Sequence, residues 1–261
     1  MIKFLCCCLF ATVLVFSEIK MIHSLDEIST DEFSKRTLVM IDLYGVLIIP
    51  QDALLQNYQS EWKPEGTREW TAEEDTIAWM NAKFQILDPI GPVLLDTLYE
   101  NGMSTIGVTS FAMDQAGIVE SIPEWISQHL KQLGLNFKME KEIIFPIQKE
   151  CVPPSFEKGI LYCGDCYKKD RDNKRKILSL YLDWLDWMPD QIVLVDDRKH
   201  HLESVEKELN RRGISFLGFH YIRKIPNPID EKVAELQYKT IIEQKQWISD
   251  QEAKRRLLTD S

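Results

Sequence analysis

The sequence predicts an α/β protein built on a doubly wound parallel sheet, with a small helical insertion after the first core strand. Three observations predict it. Helical stretches end at glycines and run into short β-rich segments, at Gly102 within 94–109, Gly134 within 125–137 and Gly213 within 205–219. Glycine just past a helix end takes the left-handed cap conformation that other residues resist, and helices alternating with strands imply crossover connections. The strand candidates are continuous apolar runs, as strands covered on both faces are. Finally, about sixty residues separate the first two candidates, more than one crossover helix needs.

The chain has 261 residues, enough for one medium domain with an insertion. A net charge of −10 leaves no basic excess to neutralise phosphates, so nucleic acid is not an expected partner. Taken in order, "MIK" followed by the 13-residue apolar run 4–16 reads as an export signal over 1–17. A membrane span needs roughly 20 residues, so the expected mature chain has no span and is periplasmic or secreted. The alternative is an uncleaved anchor or a buried N-terminal element. Removal of 1–17 would leave Cys151, Cys163 and Cys166, an odd number.

The first core strand is 38–43, "LVMIDL". A helical insertion is expected over 50–89, with a helix across 71–87 opened by a capping box of Thr71 and Glu74. Its Trp62, Trp70 and Trp79 are read as packing the insertion onto the core rather than stacking on substrate. The remaining strands are 104–109, 159–163, 191–196 and 214–219, and the core is 18–49 with 90–240. A C-terminal extension, 241–261, carries a helix starting at Ser249 with Glu252 as box partner.

In open parallel sheets the ligand crevice lies beyond the carboxyl ends of the strands. Asp42, Thr109, Cys163 and Asp196 end four of them. Asp42 could act as a covalent nucleophile. Carboxylates sharing a small site repel, so Asp42, Asp196 and Asp197 call for a cation, and Mg²⁺ suits an all-oxygen site. The bland alternative for Asp197 is a cap on the helix after it. Among the basic residues before 177, helical spacing selects Lys174: Ile177, Leu178, Tyr181, Leu182 and Leu185 form a buried stripe, and Lys174 shares its face. Thr109 could bond a phosphate oxygen, with Ser110 as rival. His200 and His201 are expected to face solvent at a helix start. "YCGDCYKK" holds a C-x-x-C followed by charged residues, which suits a small structural disulfide or free loop thiols better than a redox helix. Zinc would need Cys151 and a fourth ligand. Cys163 is expected to border the site.

"IDLYG", "GVTS", "DNKRKILSLYLDWL" and "IVLVDDRKHHLESV", in this order, resemble the haloacid-dehalogenase-like hydrolase superfamily over about 38–220. The spacing of "NKxxxL…VDDxxxxLESV", with "FLGFHYIR" and a terminal "SDxEA" helix, is similar to an uncharacterised family of secreted bacterial members. The resemblance implies a Rossmann-like core with a cap and an Asp42 nucleophile. It also implies Thr109 and Lys174 on the phosphate, and Mg²⁺ on Asp42, Asp196 and Asp197. The expected substrate is a phosphorylated small molecule.

Two departures in the first motif limit how far that carries. The superfamily's phosphatases have an aspartate two residues after the nucleophile, which protonates the leaving oxygen and activates water; here Tyr44 stands there, and Val46 replaces a threonine. A phenol with pKa near 10 is a poor base at neutral pH. Three readings follow. One is a Mg²⁺-dependent phosphatase of low or specialised activity, suited to acyl or aryl phosphates. Another is a catalytically silent scaffold that binds an unknown protein partner. The third is a dehalogenase, since "DLYGVL" is similar to "D-x-Y-G-T-L", though such enzymes do not keep the acidic pair.

Overall fold

A computed structural model describes residues 16–56, 63–110, 121–139, 141–147, 151–164, 166, 173–222 and 229–259. The expected export signal, apart from its last two residues, and Trp62 lie outside them. Among the described residues, no helix is long and apolar enough to cross a membrane.

The protein is mixed α/β with a mostly parallel eight-stranded sheet, consistent with a Rossmann-like fold. Five strands match the expected ones within a few residues: β2 (Thr37–Asp42), β5 (Ser104–Thr109), β8 (Ile160–Tyr162), β9 (Gln191–Asp196) and β10 (Ser215–Tyr221). Three more were not expected: β1 (Ser17–Ile22), β6 (Ile143–Ile144) and β7 (Ser155–Glu157). The order is β1-β10-β9-β2-β5-β8-β7-β6. β1 pairs parallel to β10, while β6 and β7 add an antiparallel edge. β1 lacks the apolar-run signal because "SEIKMI" is a half-polar edge strand with exposed Lys20 and Met21.

Residue alternation divides the core into two layers. Val39, Ile41 and Leu43 face one side, with Leu94, Leu95 and Leu98 of α3 (Gly91–Glu100) and Ile126 and Leu130 of α4 (Ile122–Gln132). Leu38 and Met40 face the other, with α5 (Asn173–Trp184) and α6 (Lys199–Arg212). From β2 the chain moves outward through β5 to β8, then returns to place β9 on β2's other side. Crossovers therefore diverge between β2 and β9, the switch point where a crevice opens above the strand ends.

The insertion is not purely helical. α1 (Ala53–Gln56) and α2 (Ala72–Asn81) are closed at their base by β3 (Ile48–Pro50) and β4 (Phe84–Ile86), which pair antiparallel. The helix expected across 71–87 stops at Asn81 because Phe84, Gln85 and Ile86 pair with the edge of β3; that partner outweighs local helix propensity. The expected boundary at 240/241 falls inside α7 (Glu231–Gln244), which is followed by α8 (Asp250–Thr259). Two aspartates clasp insertion and C-terminus: Asp250 N–H donates to Asp52 Oδ1 at 2.9 Å, and Ala53 N–H to Asp250 Oδ2 at 3.0 Å.

The capping box of α2 forms as expected, with Glu74 N–H 3.3 Å from Thr71 Oγ1 and Thr71 N–H 2.8 Å from Glu74 Oε2. Arg68 also grips both Glu74 oxygens at 2.6 Å, and Lys245 bonds the same carboxylate. Trp70 packs on Tyr238 at 4.8 Å, in line with the packing role expected of it. Glu74→Ala is expected to cost about 2 kcal/mol, since it removes a cap and a charged anchor whose partners are half exposed. The Arg68 guanidinium holds the Glu74 carboxyl well below its ordinary value. Its contribution is therefore full above the unfolded glutamate value of ~4.3 and is lost as pH falls further. Urea midpoints of wild type and variant should converge on acidification; a constant gap would refute the charge account.

Candidate active site

The site stands at the switch point. β2 and β9 are in register through Ile41 and Val195, so Asp42 and Asp196, one residue on, lie at the same level. Asp42 is 6% exposed and Asp196 is fully buried. Asp197, half-buried, follows at the end of β9, and one ligand atom from each of the three aspartates lies within 4.8 Å of the others.

Lys174 enters from the first turn of α5. Its Nζ lies 2.8 Å from Asp42 Oδ2 and 2.6 Å from Asp196 Oδ2, and the residue is 2% exposed. The buried stripe behind it, Ile177, Leu178, Tyr181 and Leu182, is the expected one; Leu185 is only partly buried. Burial alone would lower the Lys174 pKa, but the two carboxylates outweigh it and raise it. Burial likewise opposes the charge of Asp196, yet Lys174 and His201 hold its carboxyl below the usual range. Asp42 is driven the other way, by burial first; Lys174 opposes this, while Asp196 and Asp197 add to it.

His201 is the residue that sequence reasoning placed wrongly. It is 3% exposed, not solvent-facing, and its Nδ1 lies 3.2 Å from both Asp196 oxygens. The carboxylate accepts, so Nδ1 carries the proton. A signal was available: His201, Val205 and Leu209 follow helical spacing on the buried face of α6. His200 is exposed, as expected. Nor is Asp197 the cap of α6. Arg198 is the N-cap residue, and Asp196 Oδ1 accepts its N–H at 2.8 Å.

Thr109 ends β5 one residue beyond the level of Asp42 and is buried, with Ser110 next to it. Tyr44 does not present its phenol as an acid or base. Its ring packs edge-on against Trp79 at 5.9 Å and Phe84 at 5.6 Å, and burial pushes its pKa far above the ordinary value. The next residue, Gly45, has φ 91°, a conformation that a side chain would strain. It lets the chain turn back so that Gly45 N–H reaches Ile48 O at 2.9 Å.

The donor set fits a hard divalent cation. Three carboxylates cluster around one ammonium, which bridges Asp42 and Asp196, and the clustered donors are all carboxylate oxygens. Asp196 is already engaged by Lys174, His201 and a backbone N–H, whereas Asp42 accepts from Leu43 N–H and Lys174. Asp42, Asp196 and Asp197 are the residues that would hold such an ion, and Asp196 also positions Lys174 and the loop.

The C-x-x-C does not close on itself. Cys166 bonds Cys151, and Cys163 is a buried free thiol. The Cys151 and Cys166 segments meet so closely that a Cβ on Gly164 would lie 2.4 Å from Val152 O. Cys163 borders the site, beside Lys174, Asp42 and Ser110, and burial pushes its thiol up to about 12. Thiol titration of a chain beginning at Glu18 should find no reactive cysteine when native and one after denaturation. A native thiol that reacts quickly would contradict this burial. Reduction of Cys151–Cys166, 15 residues apart, should cost about 3 kcal/mol.

A family described as "Protein of unknown function (DUF2608)" matches residues 18–254. An uncharacterized protein of Rickettsia prowazekii (strain Madrid E) is 23% identical over 268 residues, covering 96% of this chain and 95% of the relative.

Proposed function

Since the chain belongs to the DUF2608 family, whose description specifies no chemistry, we propose its activity from the site: a Mg²⁺-dependent phosphoryl hydrolase of the haloacid-dehalogenase-like superfamily. The observation that carries this reading is the buried Lys174 ammonium between Asp42 and Asp196, beside Asp197. Asp42 is the nucleophile toward phosphorus. Lys174 orients it and offsets phosphate charge, and Thr109 supplies a hydroxyl to a phosphate oxygen. Mg²⁺ would neutralise the developing charge. The insertion of 50–89 serves as the cap, and export places the protein outside the cytoplasm; the Cys151–Cys166 disulfide suits an oxidising compartment.

Activity is low or specialised, because no aspartate stands at position 44. General acid–base help is typically worth ~10²- to 10⁴-fold. The packed Tyr44 ring favours a second reading, a non-catalytic binder on the same scaffold. The dehalogenase reading gains nothing from a Lys174-bridged acidic pair. Titration with Mg²⁺ and beryllofluoride, beside turnover of p-nitrophenyl phosphate, separates them. Turnover that Asp42→Asn abolishes supports the hydrolase; beryllofluoride binding without turnover supports the binder; neither ends both.

A further inference from the structure

Phosphoryl transfer at Asp42 leaves the alcohol half of the substrate unassigned. A ladder of aromatic rings starts two residues from the nucleophile. Tyr44 meets Trp79 at 5.9 Å and Phe84 at 5.6 Å, and Phe84 meets Trp125 and His129, both at 5.9 Å. Trp125 and His129 lie 4.5 Å apart. Phe84 is buried, but Tyr44, Trp79, Trp125 and His129 all keep part of their surface in solvent. Trp79 and Phe84 come from the insertion, Trp125 and His129 from α4, so the wall joins insertion to core beside the strand ends.

Such a wall offers ring faces and edges, which complement another aromatic group. An independent chemical argument selects the same group. With Tyr44 packed away, the leaving oxygen departs without a proton from that position. A phenol, with a pKa of ~10, tolerates this far better than an alcohol, whose acidity is close to that of water at ~15.7. Acyl phosphates share the good leaving group but not the ring. We propose that the site takes phosphate monoesters of phenols, whose aryl group lies against the Tyr44–Trp79–Trp125 wall. This rests on the phosphoryl-transfer reading. An Asp42 oxygen bonds to phosphorus as the P–O(aryl) bond breaks, and phenolate leaves with the electron pair. Water then bonds to phosphorus, the P–O(Asp42) bond breaks, and its protons pass to phosphate and solvent.

Calorimetric titration of the full chain with Mg²⁺ tests this without requiring turnover, using phenylphosphonate, methylphosphonate and beryllofluoride. Phenylphosphonate should bind about tenfold more tightly than methylphosphonate. That preference should fall several-fold in Trp125→Leu and return in Trp125→Phe, with thermal melts confirming that each variant folds. Equal phosphonate affinities beside firm beryllofluoride binding would overturn the aryl assignment alone. So would a preference that the Trp125 variants leave untouched. If neither beryllofluoride nor either phosphonate binds, the phosphoryl reading itself fails.

Discussion

Lys174→Met is expected to lower folding stability by about 3–5 kcal/mol, and Mg²⁺ is expected to restore part of it. The side chains are similar in length, so the change removes charge rather than volume. What remains is two buried carboxylates 2.8 and 2.6 Å from a vanished ammonium. Removing one partner of a buried pair costs roughly that much because the other charge is left uncompensated. A divalent cation at Asp42, Asp196 and Asp197 would supply the missing charge, so the deficit should be largest in EDTA. Thermal unfolding with EDTA and with Mg²⁺ reads this directly, as a drop on the order of 10 °C that the metal narrows. Lys199→Met, which removes only an exposed pair with Glu203, should change little. Because the carboxylates raise the Lys174 pKa, its contribution is full below the unfolded lysine value of ~10.4 and is lost only as pH rises through the folded one. If Lys174→Met melts like wild type in EDTA, the ammonium does not balance the aspartates.

Tyr44→Asp is expected to raise turnover of phosphate esters with poor leaving groups by ~10²-fold or more. The proton that Tyr44 cannot deliver matters most where the departing oxygen is most basic. The gain should therefore be large for alkyl phosphates and small for p-nitrophenyl phosphate, and the ratio is the informative quantity. Stability should fall, because the Tyr44 ring is wedged against Trp79 and Phe84; losing a packed aromatic typically costs ~3 kcal/mol. A variant that stays folded, binds beryllofluoride and yet gains nothing with alkyl phosphates would show that Tyr44 is not what limits the chemistry. The binder reading would then stand.

Some residues were readable because their cause is local. Asp42, Thr109 and Asp196 end apolar runs, and a run's end is visible in one dimension. Lys174 was found by helical spacing, and α5 turns it inward as that spacing requires. His201 was misplaced because a polar residue at a helix start reads as solvated; its burial follows from an acceptor five residues earlier, at the end of β9, the strand that leads into its helix. The Cys151–Cys166 pairing was out of reach, since the spacing of the three cysteines left the partner open. β4 read as helix because its partner, β3, lies more than thirty residues away.

Periodicity and the order of strand-terminal residues determine, by themselves, that this chain builds a mostly parallel sheet with acidic groups along one edge. Those are short-range consequences of burial and backbone geometry. Which of these groups meet was decided only in three dimensions. The switch between β2 and β9 brings Asp42 level with Asp196, α5 and α6 deliver Lys174 and His201 to the same carboxylate, and the insertion withdraws Tyr44 into an aromatic wall. Charge pairing and ring packing act across space, so distance along the chain carries no record of them.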